Sequence, residues 1–88
     1  MTLETMIKEI NGTKFQVDLG KSIKVNEGQM PVGYWNLIVS IRDVKLYSKG
    51  IKPHRMWKIG DVKWYFGVKG DAGKIAEVLE QYKTVLLQ

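Results

Sequence analysis

Between Gly60 and Gly70 every second residue is apolar: Val62, Trp64, Phe66 and Val68, with Lys63, Tyr65, Gly67 and Lys69 between them. A period of two puts alternate side chains on opposite faces of a pleated backbone, so this run predicts a strand with one buried face. The pattern recurs upstream. In Thr13–Leu19, Phe15, Val17 and Leu19 oppose Lys14, Gln16 and Asp18. In Tyr34–Tyr47, Trp35, Leu37, Val39 and Ile41 share a face until the phase slips at Arg42-Asp43, after which Val44 and Leu46 continue it. A slip of one residue predicts a bulge or bend in the strand.

Ser22–Asn26 reads as a short strand with Ile23 and Val25 on the buried side, and Glu27–Gly33 as a loop punctuated by Gly28, Pro31 and Gly33. Lys52-Pro53 opens a further extended run. Pro53 has no N–H to give a ladder, which places it at a strand's edge or beginning. Arg55, Trp57 and Ile59 then alternate with His54, Met56 and Lys58.

Residues 2–10 satisfy two templates. Leu3, Met6, Ile7 and Ile10 have helical spacing behind Thr2 as a cap, while Asn11-Gly12 between apolar runs signals a hairpin. The hairpin is the preferred reading, because so short a helix is marginal. From Asp71, a helix cap, Ile75, Val78, Leu79, Tyr82, Val85 and Leu86 form a helical stripe. The expected fold is therefore α+β: one domain over residues 1–88, with a curved antiparallel β-sheet of five or six strands in 1–69 and one C-terminal helix over 71–87.

Charge is unevenly distributed. Residues 49–69 hold Lys49, Lys52, Arg55, Lys58, Lys63 and Lys69 against Asp61 alone, a local excess equal to the whole chain's +5. On the expected sheet, Arg42, Lys45, Tyr47, Lys52, His54, Lys58, Lys63, Tyr65 and Lys69 share the open face with Lys14, Lys24 and Tyr34; those nine, together with Arg55 beside Trp57 in the most basic strand, are the candidate nucleic-acid contacts. Cations interleaved with exposed tyrosines suit a polyanion whose bases stack, so single-stranded DNA or RNA is the expected partner, DNA before RNA. The alternation puts Trp35, Trp57 and Trp64 in the core, Trp57 being the least secure of the three.

Other chemistries find little support. No cysteine is present, so disulfides and thiolate metal sites are excluded. His54 is the single histidine and has no ligand cluster around it, and no serine pattern links to it, so neither a metal, a cofactor nor a catalytic site is expected. Asp43-Val44-Lys45 and Asp61-Val62-Lys63 each match only half of a metal-dependent nuclease motif. Gly67–Lys74 imitates a phosphate loop with the wrong glycine spacing and with Ile75 in place of Ser or Thr. No apolar run reaches the roughly 20 residues of a membrane span. The first residues lack a signal-peptide layout, so a cytoplasmic setting is expected, nucleoid-associated in a prokaryote.

The run LIVSIRDVKLY, a turn, and Lys52-Pro53-x-Arg55 leading to Ile59 resemble the single-stranded-DNA-binding core of the transcriptional coactivator positive cofactor four family. The resemblance implies a curved antiparallel sheet, a homodimer built through the C-terminal helix, and DNA contacts at Lys52, Arg55 and Lys58. The chain departs from the family in the extra run Val62–Val68 and in a helix without the family's tryptophan. The function expected is a non-catalytic single-strand binder, a transcription or replication accessory factor. The alternative is a small protein–protein adaptor with a basic surface, and a weaker third reading is a duplex-binding chromatin protein.

Overall fold

The computed structural model describes residues 1–25 and 28–87, with 22–25 and 28–29 described by their backbone. It is a helical protein: α1 Leu3–Glu9, α2 Lys14–Leu19, β1 Ser22–Val25, β2 Gly28–Pro31, α3 Val32–Ser48, α4 Ile59–Phe66 and α5 Ala72–Leu86. The two strands form one antiparallel ribbon, Ser22 opposite Pro31 and Val25 opposite Gly28. The expected five- or six-stranded sheet is thus corrected to a helical bundle with a single short ribbon. The basic aromatic sheet face goes with it, as does the curved sheet that the family resemblance implied. The expected burial of Ile23 and Val25 concerns side chains outside the described set, and Asn26 and Glu27 lie outside the described residues.

The helices form because 3.6-residue spacing satisfies the core better than a period of two. On α3 the buried stripe is Gly33, Leu37, Ile41 and Val44, at i, i+4, i+8 and i+11, with Asp43 buried next to Val44. The phase slip at Arg42-Asp43 is this helical stripe sampled at every second residue, and it needs no bulge. α4 buries Val62 and Phe66, one turn apart, and turns Trp64 outward. Gly67 then adopts φ 68°, and both its N–H and that of Val68 bond the Lys63 carbonyl, which closes the helix and returns Val68 to the core. The apparent alternation 62, 64, 66, 68 therefore joins one helical turn to one chain reversal.

The N-terminal hairpin is likewise corrected. Thr2 caps α1 by accepting from Thr5 N, and Met6 and Ile10 are buried. Gly12, at φ 82°, links α1 to α2, and Thr13 caps α2 by accepting from Gln16 N at 3.1 Å. Phe15 on α2 lies at the centre of the core, with Phe66 at 4.8 Å, Tyr82 at 6.0 Å and Tyr65 at 6.1 Å between ring centroids. α2 lies so close to α3 that a Cβ on Gly33 would stand 2.8 Å from the Leu19 nitrogen.

α5 packs chiefly on α3. Asp71 caps it by accepting from Lys74 N at 2.9 Å, and it buries Ile75, Leu79, Tyr82 and Val85. Lys45 of α3 pairs with Glu80 of α5, and the Tyr82 hydroxyl donates to Glu9 of α1 at 3.2 Å. No described helix is long and apolar enough to cross a membrane.

Candidate nucleic-acid interface

The ten residues expected to contact nucleic acid are distributed over four pieces of structure. Arg42, Lys45 and Tyr47 lie on α3; Lys52, His54, Arg55 and Lys58 in the loop 49–58; Lys63 and Tyr65 on α4; and Lys69 in the α4–α5 turn. Some of them are engaged elsewhere. Arg42 spends its guanidinium on the neighbouring buried Asp43 at 3.1 Å, and Lys45 is tied to Glu80, whose carboxyl it holds below the usual range.

Tyr65 is a structural group and not a free stacking platform. Its hydroxyl donates to Asp18 Oδ2 at 2.7 Å and accepts from Asn36 Nδ2 at 2.9 Å, which joins α2, α3 and α4. Asp18 is 5% exposed and is also met by Lys14 at 3.0 Å and Lys21 at 3.6 Å. The Tyr65 hydrogen bond, followed by these lysines, holds the Asp18 carboxyl below its ordinary range, while the same carboxylate raises Lys14. Burial, reinforced by Asp18, pushes the Tyr65 phenol up to about 12.

What the fold does bring together is the loop 49–58. Gly50, at φ 84°, ends α3, and Ile51 N bonds the Leu46 carbonyl. At the far end Trp57 N bonds the His54 carbonyl, and the Trp57 ring, 8% exposed, lies 4.9 Å from that of Tyr47. Fastened at both ends, the segment presents Lys49, Lys52, His54, Arg55 and Lys58 to solvent. None of its cations forms an ion pair with a described residue. Lys69 is also exposed and Lys63 half-buried, again without such a pair. Among the described residues no three metal-ligating side chains gather.

Alternation misplaced two of the three tryptophans. Trp57 is the buried one, whereas Trp35 is 41% and Trp64 70% exposed. Trp64 forms one wall of an open groove of about 370 Å³ between α3 and α4, lined by Asn36, Val39 and Ser40 from α3 and by Asp61, Val62 and Tyr65 from α4. A helical reading of Val62 and Phe66 would have revealed this, since Trp64 lies off the stripe they define.

Comparison of the chain with family models, with curated proteins and with solved structures finds no match. The chemistry of the surface is therefore the basis for a functional reading.

Proposed function

We propose that the chain is a non-catalytic, single-stranded nucleic-acid-binding module that grips backbone phosphates through the loop 49–58. The observation that carries this reading is the set Lys49, Lys52, Arg55 and Lys58, held in one fastened loop with no carboxylate partner among the described residues. Unpaired cations at fixed spacing displace condensed counterions when they meet a polyanion, and that release supplies most of the affinity in such binding. The tyrosine stacking expected from the sequence passes to Trp64, the most exposed ring on the adjoining helix, with part of Tyr47. A cytoplasmic or nucleoid setting accords with this activity.

Fluorescence anisotropy with labelled oligo-dT and with duplex DNA, each at two salt concentrations, tests the reading. Changing Lys52, Arg55 and Lys58 together to Ala is expected to lower the slope of log K against log salt by about 2 for the single strand. An unchanged slope removes the loop from the interface.

An adaptor function is favoured by a different observation: Met56, 71% exposed, and Ile51 stand in the same loop as the cations. Exposed methionine suits an adaptable protein contact. Binding of an acidic protein partner together with indifference to every oligonucleotide would select that reading.

A further inference from the structure

We infer that the groove between α3 and α4 seats one unpaired base of a bound strand, and that it prefers guanine. The inference rests on the single-strand reading above. Three features of the groove favour it.

The first is the aromatic wall. Trp64 leaves most of its surface in water although it stands only two positions from the core residue Val62. An exposed indole lining a groove together with Val39 and Val62 offers a flat apolar surface of the kind on which bases stack.

The second is the set of polar groups that the fold leaves unused there. The Ser40 hydroxyl makes no hydrogen bond to a described residue, whereas Ser48 and Thr84 bond back to their own helices. The Asp61 carboxylate likewise has no side-chain partner among the described residues. Asn36 is held in place by its bond to Tyr65, which Asp18 anchors in turn. The groove is thus lined by an acceptor-only carboxylate, a hydroxyl and a ring.

The third is charge, which selects the occupant. Asp61 repels a phosphate or carboxylate from the groove itself, while Lys58 before α4 and Lys63 within it disfavour a free cation. A neutral ring bearing N–H donors and tethered to an anionic strand satisfies both conditions. Guanine presents two adjacent donors, its ring N–H and its amino group, to the two oxygens of one carboxylate. Thymine presents a single ring N–H, and hypoxanthine lacks the amino group.

The test compares three nonamers, all-thymine and the same strand with a central guanine or a central hypoxanthine, by anisotropy and by tryptophan emission. The guanine strand is expected to bind about fivefold or more tightly than the all-thymine strand, with hypoxanthine between them. Asp61→Asn is expected to bring the guanine strand to within about twofold of the all-thymine strand, and Trp64→Phe to remove the emission change. Because Asp61 also lies in the first turn of α4, Ser40→Ala serves as a second variant that leaves the helix terminus intact and is expected to reduce the preference.

Equal affinity for the three strands, or a guanine preference that survives Asp61→Asn and Ser40→Ala, overturns the inference while leaving the loop reading standing. Failure of every strand to bind at low salt overturns the loop reading. In that case no strand is left to deliver a base, and free guanosine, titrated against the emission of the wild type and of Trp64→Phe, tests the groove alone: quenching confined to the wild type supports guanine recognition by the groove, and no quenching, as a protein-docking groove would give, refutes that as well.

Discussion

Replacing Tyr65 by Phe removes one oxygen atom and tests the polar junction that holds α2, α3 and α4 together. The phenyl ring keeps its places 4.8 Å from Phe66 and 6.1 Å from Phe15, so the apolar packing is retained. What is lost is a 2.7 Å hydrogen bond to the Asp18 carboxylate and a 2.9 Å bond from the Asn36 amide. A hydrogen bond to a charged group contributes about 1.5–3 kcal/mol and a neutral one about 1. Lys14 and Lys21 remain beside Asp18 and compensate in part, so the expected loss is about 2 kcal/mol, or roughly 10 °C in Tm for a chain of this size.

The pH dependence supplies an internal check. Asp18 titrates below its ordinary value of 3.8 in the folded protein, with Tyr65 the leading cause. Between the folded and unfolded values the unfolded chain binds the extra proton, so this stabilisation is fully present above 3.8 and fades as the pH falls through the lower, folded value. Urea unfolding of wild type and Y65F at neutral pH and down to about pH 2.5 should therefore show curves that converge in acid. A difference below about 0.5 kcal/mol at neutral pH, or one that stays constant into acid, would refute the reasoning.

Gly67→Ala places a Cβ at φ 68° and 2.7 Å from the Thr13 methyl, so a loss of at least about 1–2 kcal/mol is expected in denaturant unfolding. Trp57→Ala should cost about 3–5 kcal/mol, whereas Trp64→Ala should stay within about 0.5; equal effects would mean that the two rings have been assigned to the wrong sides. On the alkaline side, Tyr65 ionises at about 12 in the fold, and burial with Glu9 beside it raises Tyr82 as well. The unfolded chain loses these protons first, near pH 10, so stability should decline as the pH rises from there, with the tyrosinate absorbance of Tyr65 and Tyr82, isolated by difference against Y65F and Y82F, appearing together with unfolding instead of before it.

The C-terminal helix was legible because only one template fits it: Asp71 followed by Ile75, Leu79, Tyr82 and Val85 leaves no alternation to compete. The region before it misleads because apolar residues are so dense that two periods are satisfied together. From Tyr34 to Tyr47, odd positions fit a strand up to Ile41, yet the run is far longer than the 4–8 residues typical of strands, and its slip is what a period of 3.6 imposes. Leu3, Met6, Ile7 and Ile10 carried the helical signal, but Asn11-Gly12 serves equally well as a hairpin turn and as the link between two short helices. The repeated Ile-x-Asp-Val-Lys-x-Tyr at 41–47 and 59–65 is likewise a helical pattern, used once with Asp43 buried and once with Asp61 exposed.

For the site, sequence identified the cationic segment but not its form. Lys52, Arg55 and Lys58 are exposed because they belong to a loop, and no pleat is involved. The Tyr65 contact with Asp18, 47 residues away in the chain, had no local signature, and the exposure of Trp64 follows only once α4 is known to be a helix.

The way Tyr47 and Trp57 clasp the ends of the segment between them makes it an exchangeable cassette. Its outward positions can be rewritten, whether neutralised, made acidic or respaced, without disturbing the rings around Phe15. A lineage or a designer could therefore change what this small scaffold holds many times over while inheriting the same framework, provided the two clasping rings and Gly50 are kept.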